Sequence, residues 1–270
     1  MKTAQEIEKD LPSDLRTLLK FDKREIDNPN PYDIAKLNYM DRFNKMINIF
    51  RQQFPHPEKI KIADVGCAQA NVSLILAEFG FQMTAIDINP NYLDYAKHKQ
   101  EKGSITWFQG NFDQMNLENK FDAIILGELV EHCAYPEDFI QKALNYLKPN
   151  GIILVTTPNG AMFKNKLPTF GQLRKREDRN YLEKKQFGPD GSDHLFLFTI
   201  NDLKLLLPKN TKIKQAGYLG GTFIINHKTI SLLKWMPRHW MENLERLVAN
   251  LPLLNRYTCY GLYAIITKTF

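Results

Sequence analysis

Ile62-Ala-Asp-Val-Gly-Cys-Ala-Gln-Ala-Asn71 is the stretch whose reading decides the fold. The apolar run from Ile60 to Val65 reads as a buried strand, and Gly66 opens a tight turn after it. Helical spacing begins at Val72, Ile75, Leu76 and Phe79. A strand, a loop of small residues and a helix N-terminus make a site for the anionic end of a ligand, because loop N–H groups and the helix dipole converge on it. Small residues at Gly66, Ala68 and Ala70 let the ligand approach the backbone.

On either side of this turn the chain divides in two. Residues 1–54 read as a polar, helical N-terminal extension, broken at Asp27-Asn-Pro-Asn-Pro31, with a second helix from about Tyr32 to Gln53. Residues 55–270 alternate strand and helix. Strands are expected at 81–87, 105–109, 121–126 and 152–156. Asn89-Pro90 supplies an N-cap and a first-turn proline for one helix, ending near Gly103. Pro136 opens another with apolar Phe139, Ile140, Ala143, Leu144 and Leu147, and Lys148-Pro-Asn-Gly151 closes it. The fold class expected is α/β, a doubly wound, Rossmann-like, mostly parallel sheet of seven strands. After Pro158 the pattern lapses. Residues 160–198, with Arg174-Lys-Arg176 and Gly188-Pro-Asp-Gly191, read as a substrate lid at a strand C-terminus, the edge where open α/β sheets bind ligands. Thr199-Ile-Asn-Asp202 is a capping-box start, strands near 212–218 and 260–267 complete the sheet, and 220–254 is a late helical insertion.

Composition sets bounds on partners. The 270 residues are 43% hydrophobic, enough for a core. Lys and Arg number 36 against 30 acidic residues, a formal +6 that suits anionic substrates, RNA or an acidic membrane surface, but the surplus is spread along the chain. The three cysteines, Cys67, Cys133 and Cys259, are odd in number and unpatterned, which points to free thiols in a reducing, cytoplasmic setting. Residues 1–10 alternate in charge without the apolar core of a signal peptide, and no apolar run is long enough to span a bilayer.

Asp87 ends the second strand, roughly twenty residues beyond the glycine turn, where an acidic side chain accepts both hydroxyls of a ribose. Alone it would read as a strand-end carboxylate or an N-cap. Following the turn at this interval it reads as a ribose ligand. The ordered series Asp64-x-Gly66-x-Ala68-x-Ala70, Asp87, Gly110-Asn-Phe112 and Phe121-Asp-Ala-Ile-Ile-Leu-Gly-Glu128 resembles the class I S-adenosylmethionine-dependent methyltransferases. Leu147-Lys-Pro-Asn-Gly151 and Thr157-Pro-Asn159 are similar to that family's fifth-strand region. Ala68 and Ala70 depart from its usual later glycines, and Asn111 stands where an acidic residue is commoner.

The resemblance implies roles residue by residue. Asp64 and the backbone of Gly66, Cys67 and Ala68 hold the methionine end of S-adenosylmethionine; Asp87 binds the ribose. Ile88 packs on the adenine, Asn111 and Phe112 close its pocket, and Gly127 passes near the sulfonium. The chemistry is an in-line displacement at the methyl carbon, accelerated chiefly by positioning and secondarily by removal of the acceptor's proton. A Rossmann dehydrogenase fits less well, since Asp64 precedes the glycine and no second catalytic domain is evident.

A second constellation is Glu128-Leu-Val-Glu131-His132. In a helical segment Glu128, Glu131 and His132 share one face, and His194 reaches the same mouth from the end of the lid. Glu128, His132 and His194 are therefore the candidate catalytic residues. Together with Glu131 they form a candidate site for Mg²⁺, Mn²⁺ or Zn²⁺, which would hold neighbouring acceptor hydroxyls and lower their pKa. The arrangement resembles the ubiquinone-pathway O-methyltransferases and the small-RNA 3′-terminal 2′-O-methyltransferases. Glu-His at this place is also common in the class at large, where the histidine packs, caps or acts as a base without metal.

The basic lid groups Lys164, Lys166, Arg174, Lys175, Arg176 and Arg179 could meet phosphates, but Glu177, Asp178 and Glu183 interrupt them as on a solvated helix face. Trp240, Met241, Leu244, Leu247, Val248 and Leu251 form an apolar helical stripe suited to core packing, a homodimer contact or, less simply, an interface with lipid. Tyr32, Tyr39 and Arg42 are placed to fold over a cofactor. The expectation is an O-methyltransferase for a hydroxylated small molecule. Its alternatives are a metal-dependent RNA-end 2′-O-methyltransferase and a cofactor-binding, non-catalytic partner subunit.

Overall fold

The computed structural model describes residues 1–30, 33–112, 115, 120–163, 165–174, 179–187, 194–220, 254–269 and seven single positions between 236 and 251. In chain order its elements are α1 (Ala4–Ile7), α2 (Leu19–Glu25), α3 (Ile34–Gln53), β1 (Lys61–Val65), α4 (Asn71–Glu78), β2 (Gln82–Asp87), α5 (Pro90–Lys99), β3 (Ser104–Gln109) and β4 (Phe121–Gly127). There follow α6 (Pro136–Tyr146), β5 (Leu147–Pro158), α7 (Phe170–Leu173), α8 (Asn180–Glu183), α9 (Ile200–Leu205), β6 (Thr211–Leu219), α10 (Leu254–Thr258) and β7 (Gly261–Lys268). The strands form one seven-stranded sheet in the order β3-β2-β1-β4-β5-β7-β6. Pairs β1–β2, β1–β4 and β2–β3 are parallel, and β6–β7 is antiparallel. The order reverses at β1, so the open crevice where such sheets bind ligands lies beside the β1 C-terminus. Among the described residues no helix is long and apolar enough to cross a membrane.

Two compact units divide the chain: Met1–Gly127 with Tyr146–Ile152, and Glu128–Asn145 with Ile153–Phe270. In the first, β1 is buried from Ile62 to Val65 because neighbours flank it on both edges. Asp33 caps α3 by accepting from the Ala35 and Lys36 amides at 2.9 and 3.1 Å. Asn89 caps α5 by accepting from the Asn91 amide at 3.0 Å, with Pro90 in the first turn as expected. α5 ends at Lys99, short of Gly103. Ala4, Ile7, Leu11, Leu15 and Leu19 pack with Tyr95 of α5, which ties the N-terminal helices to this unit. Tyr32 lies outside the described residues.

Two local expectations change here. Of the Val72, Ile75, Leu76 and Phe79 stripe only Leu76 is buried; the other buried residues of α4 are Asn71, Ser73, Leu74 and Ala77. Phe79 is 42% exposed, under the Arg51 guanidinium at 4.7 Å. An eight-residue helix with apolar residues nearly all round gives periodicity little to choose between, and packing against β2 and β3 decides. The second change concerns Lys148-Pro-Asn-Gly151, which runs as the first part of β5 instead of preceding it. Asp122 draws it in: its Oδ2 accepts from Lys148 Nζ at 2.8 Å and from the Lys61 amide at 2.9 Å. Gly151 passes so close that a Cβ there would lie 2.9 Å from the Asp122 carbonyl oxygen.

The second unit contains residues 160–198. Within them is an aromatic cluster of Phe170, Phe196 and Phe198 with ring centroids 5.4 Å apart. Phe170 N–H donates to Leu197 O and Leu197 N–H to Pro168 O, so the two ends of this segment lie side by side. Thr199 forms the expected capping box with Asp202, and Asp202 Oδ1 also accepts from the Gly171 amide at 3.1 Å. Residues 175–178 and 188–193, with most of the 220–254 insertion, lie outside the described residues. Of the apolar stripe, Trp240, Leu247 and Leu251 are described, and all are exposed.

Candidate active site

The first candidate cluster begins at the β1–α4 turn. Gly66 and Cys67 N–H both donate to Ile86 O, at 2.8 and 3.1 Å, which ties the turn to the end of β2. Ala68 N–H donates to Asp87 Oδ2 at 2.8 Å, and Asn89 N–H to Asp87 Oδ1 at 2.8 Å. Asp87 is thus a rivet for the turn. Burial pushes its pKa up, while the amides of Asn89, Ala68 and Ile88 pull it back. Asp64 is buried one turn deeper and accepts from Ser73 Oγ at 2.7 Å. Burial raises its pKa to about 6, against the lowering effect of that hydrogen bond, with the Asp87 charge raising it further. Burial likewise pushes the Cys67 thiol well above its ordinary range, so it is a packing group rather than a thiolate.

The substitutions of alanine for glycine show their cost here. Ala68 and Ala70 have φ of 46° and 52°, the left-handed region that glycine enters freely. Small size alone therefore does not describe what the turn requires. Ile88 is 59% exposed although large and apolar, an open face beside the Asp87 carboxylate. Gly110 N–H donates to Asp87 O at 2.9 Å, which turns the chain toward Asn111 and buried Phe112; the Phe112 ring lies 5.8 Å from Tyr146. Gly127 ends β4.

The second candidate cluster starts at the next residue. The chain does not continue as a helix with Glu128, Glu131 and His132 on one face. Glu128 sits at φ 52°, its N–H donating to Thr156 O at 2.9 Å, and only Val130–His132 form a short 3₁₀ turn. A non-glycine residue held in this region by its surroundings is a recurrent feature of functional sites. Three of the four residues do converge: one ligand atom from each of Glu131, His132 and His194 lies within 4.8 Å of the others. Glu128 is outside that trio. The His132 and His194 rings meet edge to face at 4.9 Å.

Long-range hydrogen bonds build this trio. Leu195 N–H donates to Glu131 O at 2.9 Å and thereby sets His194 beside the turn. Thr157 Oγ1 donates to Glu131 Oε2 at 3.0 Å inside the buried β5. Burial lowers the His194 pKa, with the Glu128 charge pushing it up, so the neutral imidazole that can accept a proton or bind a metal is favoured. Asn159 anchors the base of the 160–198 segment. Its Nδ2 donates to Arg256 O and Cys259 O at 2.8 and 2.9 Å, and its Oδ1 accepts from the Ala161 amide.

Sequence reasoning gave no role in the site to Thr157, Leu195 or Asp22; their contribution depends on residues far away in the chain. Among the basic groups of that segment, Lys164, Lys175 and Arg176 lie outside the described residues. Arg179 is engaged by a bidentate pair with Glu137 and lies 4.5 Å over the Tyr135 ring. Lys166 and Arg174 are exposed.

Residues 63–155 match the family model of a methyltransferase domain, and the fold is shared with solved S-adenosylmethionine-dependent methyltransferases. Among curated proteins, the ubiquinone biosynthesis O-methyltransferase of Rickettsia akari is 32% identical over 108 residues, 38% of this chain and 42% of that protein. The chain spans about half the length, or less, of the curated relatives it matches. Two solved structures share the fold. One is the magnesium protoporphyrin IX methyltransferase of Synechocystis PCC 6803 with bound S-adenosylhomocysteine: TM-score 0.54, 11% identical, 87% of each chain covered. The other is an N-methyltransferase from Bradyrhizobium japonicum WM9 in complex with S-adenosylhomocysteine: TM-score 0.53, 13% identical, 99% of each chain covered.

Proposed function

We propose that this chain transfers the methyl group of S-adenosylmethionine to a hydroxyl oxygen of a small molecule, with a catechol-like ring as the acceptor class. The observation that carries the reading is the Glu131–His132–His194 trio, two of its members buried and His194 half-buried, starting a few residues beyond the strand end at Gly127. In this reading Asp64 and the backbone of Gly66, Cys67 and Ala68 hold the methionine end and Asp87 the ribose. Ile88, Asn111 and Phe112 take the adenine. His132 or His194 accepts the hydroxyl proton as the oxygen attacks the methyl carbon in line with the departing sulfur. Glu131, tied to Thr157, orients the adjoining imidazole and stabilises its protonated form. Similarity to O-methyltransferases of ubiquinone biosynthesis supports a hydroxylated aromatic acceptor.

The trio also fits a divalent cation. Two imidazoles and one carboxylate are the donor set of Zn²⁺ or Mn²⁺ more than of Mg²⁺, which prefers oxygen. Glu131, His132 and His194 would hold it. When bound, such an ion lowers the pKa of an acceptor hydroxyl.

Calorimetry with S-adenosylhomocysteine tests the donor part: absence of binding by the folded chain would sink it. For the metal, Zn²⁺ or Mn²⁺ should raise the melting temperature of the wild type and leave His194→Ala unmoved. An identical shift in both would remove the metal from the account. The RNA-end reading requires methylation of an RNA terminus by the purified chain, and any turnover by that chain excludes a non-catalytic subunit.

A further inference from the structure

Behind the β1–α4 turn, polar side chains from four helices meet in the first unit. Asn71, the first residue of α4, donates from Nδ2 to Asp22 Oδ1 at 3.1 Å and to the Tyr39 hydroxyl oxygen at 2.9 Å. Its Oδ1 accepts from Lys99 Nζ. Lys99 also pairs with Asp22 Oδ2 at 2.7 Å, where Tyr95 donates its hydroxyl at 2.8 Å. The Asp22 and Lys99 side chains are 3% and 1% exposed. Every polar atom of the Asn71 carboxamide end thus has a partner from outside α4.

A hydrophobic filling would pack this space at lower electrostatic cost, since both charges lose their hydration. The location suggests what the polar cluster achieves. Asn71 directly follows Ala70, which is left-handed, and Ala70 has no side chain to cap the helix. Such a backbone persists only when its surroundings over-determine it. The carboxamide fixes the residue on one side of the strained turn, while Asp87 and Ile86 fix the other side through the Gly66, Cys67 and Ala68 amides.

We propose that Asn71, held by Asp22, Tyr39 and Lys99, is a positioning residue for the methyl donor. It locks the Gly66–Ala70 turn in its binding form and makes donor affinity depend on the N-terminal helices α2 and α3. The donor part of this inference rests on the proposed function; the lock does not. Asn71 touches no donor atom in this scheme, and its effect runs through the left-handed Ala70.

The experiment uses the full chain. S-adenosylhomocysteine affinity is measured by calorimetry, and backbone amide exchange at residues 66–71 is measured without ligand. Variants are Asn71→Ala, Ala70→Gly, the double variant and Tyr39→Phe. Loss of one buried hydrogen-bonding group weakens binding by about tenfold in Asn71→Ala. Exchange at 66–71 accelerates in parallel. Glycine at position 70 adopts the left-handed turn without strain, so Asn71→Ala in the Ala70→Gly background should cost only about threefold, a coupling that simple loss of packing would not produce. Tyr39→Phe removes one oxygen, keeps the ring, and should show both effects at reduced size if Asn71→Ala proves too unstable to study. Equal losses from Asn71→Ala in the wild-type and Ala70→Gly backgrounds overturn the lock. So does unchanged exchange at 66–71 in Asn71→Ala and Tyr39→Phe. A wild type that binds no S-adenosylhomocysteine overturns the donor role and the proposed function together, while the exchange data still decide the lock.

Discussion

Two clusters of candidate residues, one in each compact unit, are built from different material. The first is made largely of backbone: amides of Gly66, Cys67, Ala68 and Asn89 fixed on Ile86 O and the Asp87 carboxylate, within one strand–turn–helix and its neighbour. The second is made of side chains, Glu131, His132 and His194, brought together across more than sixty positions through Thr157 and Leu195. Backbone-built sites follow from local chain geometry and tolerate variation in side chain, as Ala68 and Ala70 show. Side-chain-built sites depend on each member and on the segment that delivers it.

That contrast can be broken experimentally. The largest effect is expected for His194→Ala: turnover of a catechol-type acceptor should fall by about 10²–10⁴-fold if the imidazole takes the proton. S-adenosylhomocysteine affinity should stay near the wild-type value. A comparable loss of donor affinity would mean that the two clusters do not act separately.

Next is Asp22→Ala, which strands the buried Lys99 ammonium. Burial already lowers the Lys99 pKa, against the opposing pull of Asp22. Denaturant titration should show a loss of about 3–5 kcal/mol. A loss near zero would mean that the N-terminal helices contribute little to the first cluster.

Smaller, and specific to pH, is the effect of Asp64. Its folded pKa of about 6 is raised by burial, so its contribution to stability is fully present below its unfolded value and is lost as pH rises through about 6. The ligand-free wild type should therefore lose stability relative to Asp64→Asn between roughly pH 4 and pH 6. Donor affinity should move oppositely, strengthening over the same rise if the ionised carboxylate holds the methionine ammonium. Melting curves and calorimetry on both proteins across this range check the two signs, and parallel trends would refute the assignment.

The smallest effect is Ala68→Gly. Relief of a left-handed alanine should stabilise the chain by about 1 kcal/mol, reduced by the extra freedom of glycine in the unfolded state. A destabilised variant would show that the Ala68 side chain packs usefully in the turn.

The alternation of strand and helix and the β1–α4 turn were legible because their signals are local. An apolar run, a glycine and a helical repeat lie within about twenty residues, and Asp87 stands at a fixed interval beyond them. The same local logic failed at Lys148–Gly151, where turn-forming residues run as strand because Asp122 holds them from another strand. It failed again at Glu128, where a spacing read as helical proved to be a left-handed residue and a short 3₁₀ turn. Sequence named Glu131, His132 and His194 as partners without giving their geometry.

By itself, then, the sequence determined the alternation of elements, the donor turn and the chemical types available at the second cluster. These depend on periodicity, backbone freedom and short spacing, which a linear chain records directly. Tertiary structure alone decided that Glu128 stands outside the trio and that Arg179 is engaged by Glu137. It also decided that Asp22, Asn71 and Lys99 meet behind the donor turn. Hydrogen bonds and ion pairs act over a few ångströms of space whatever the distance along the chain, so only folding reveals which polar groups are partners.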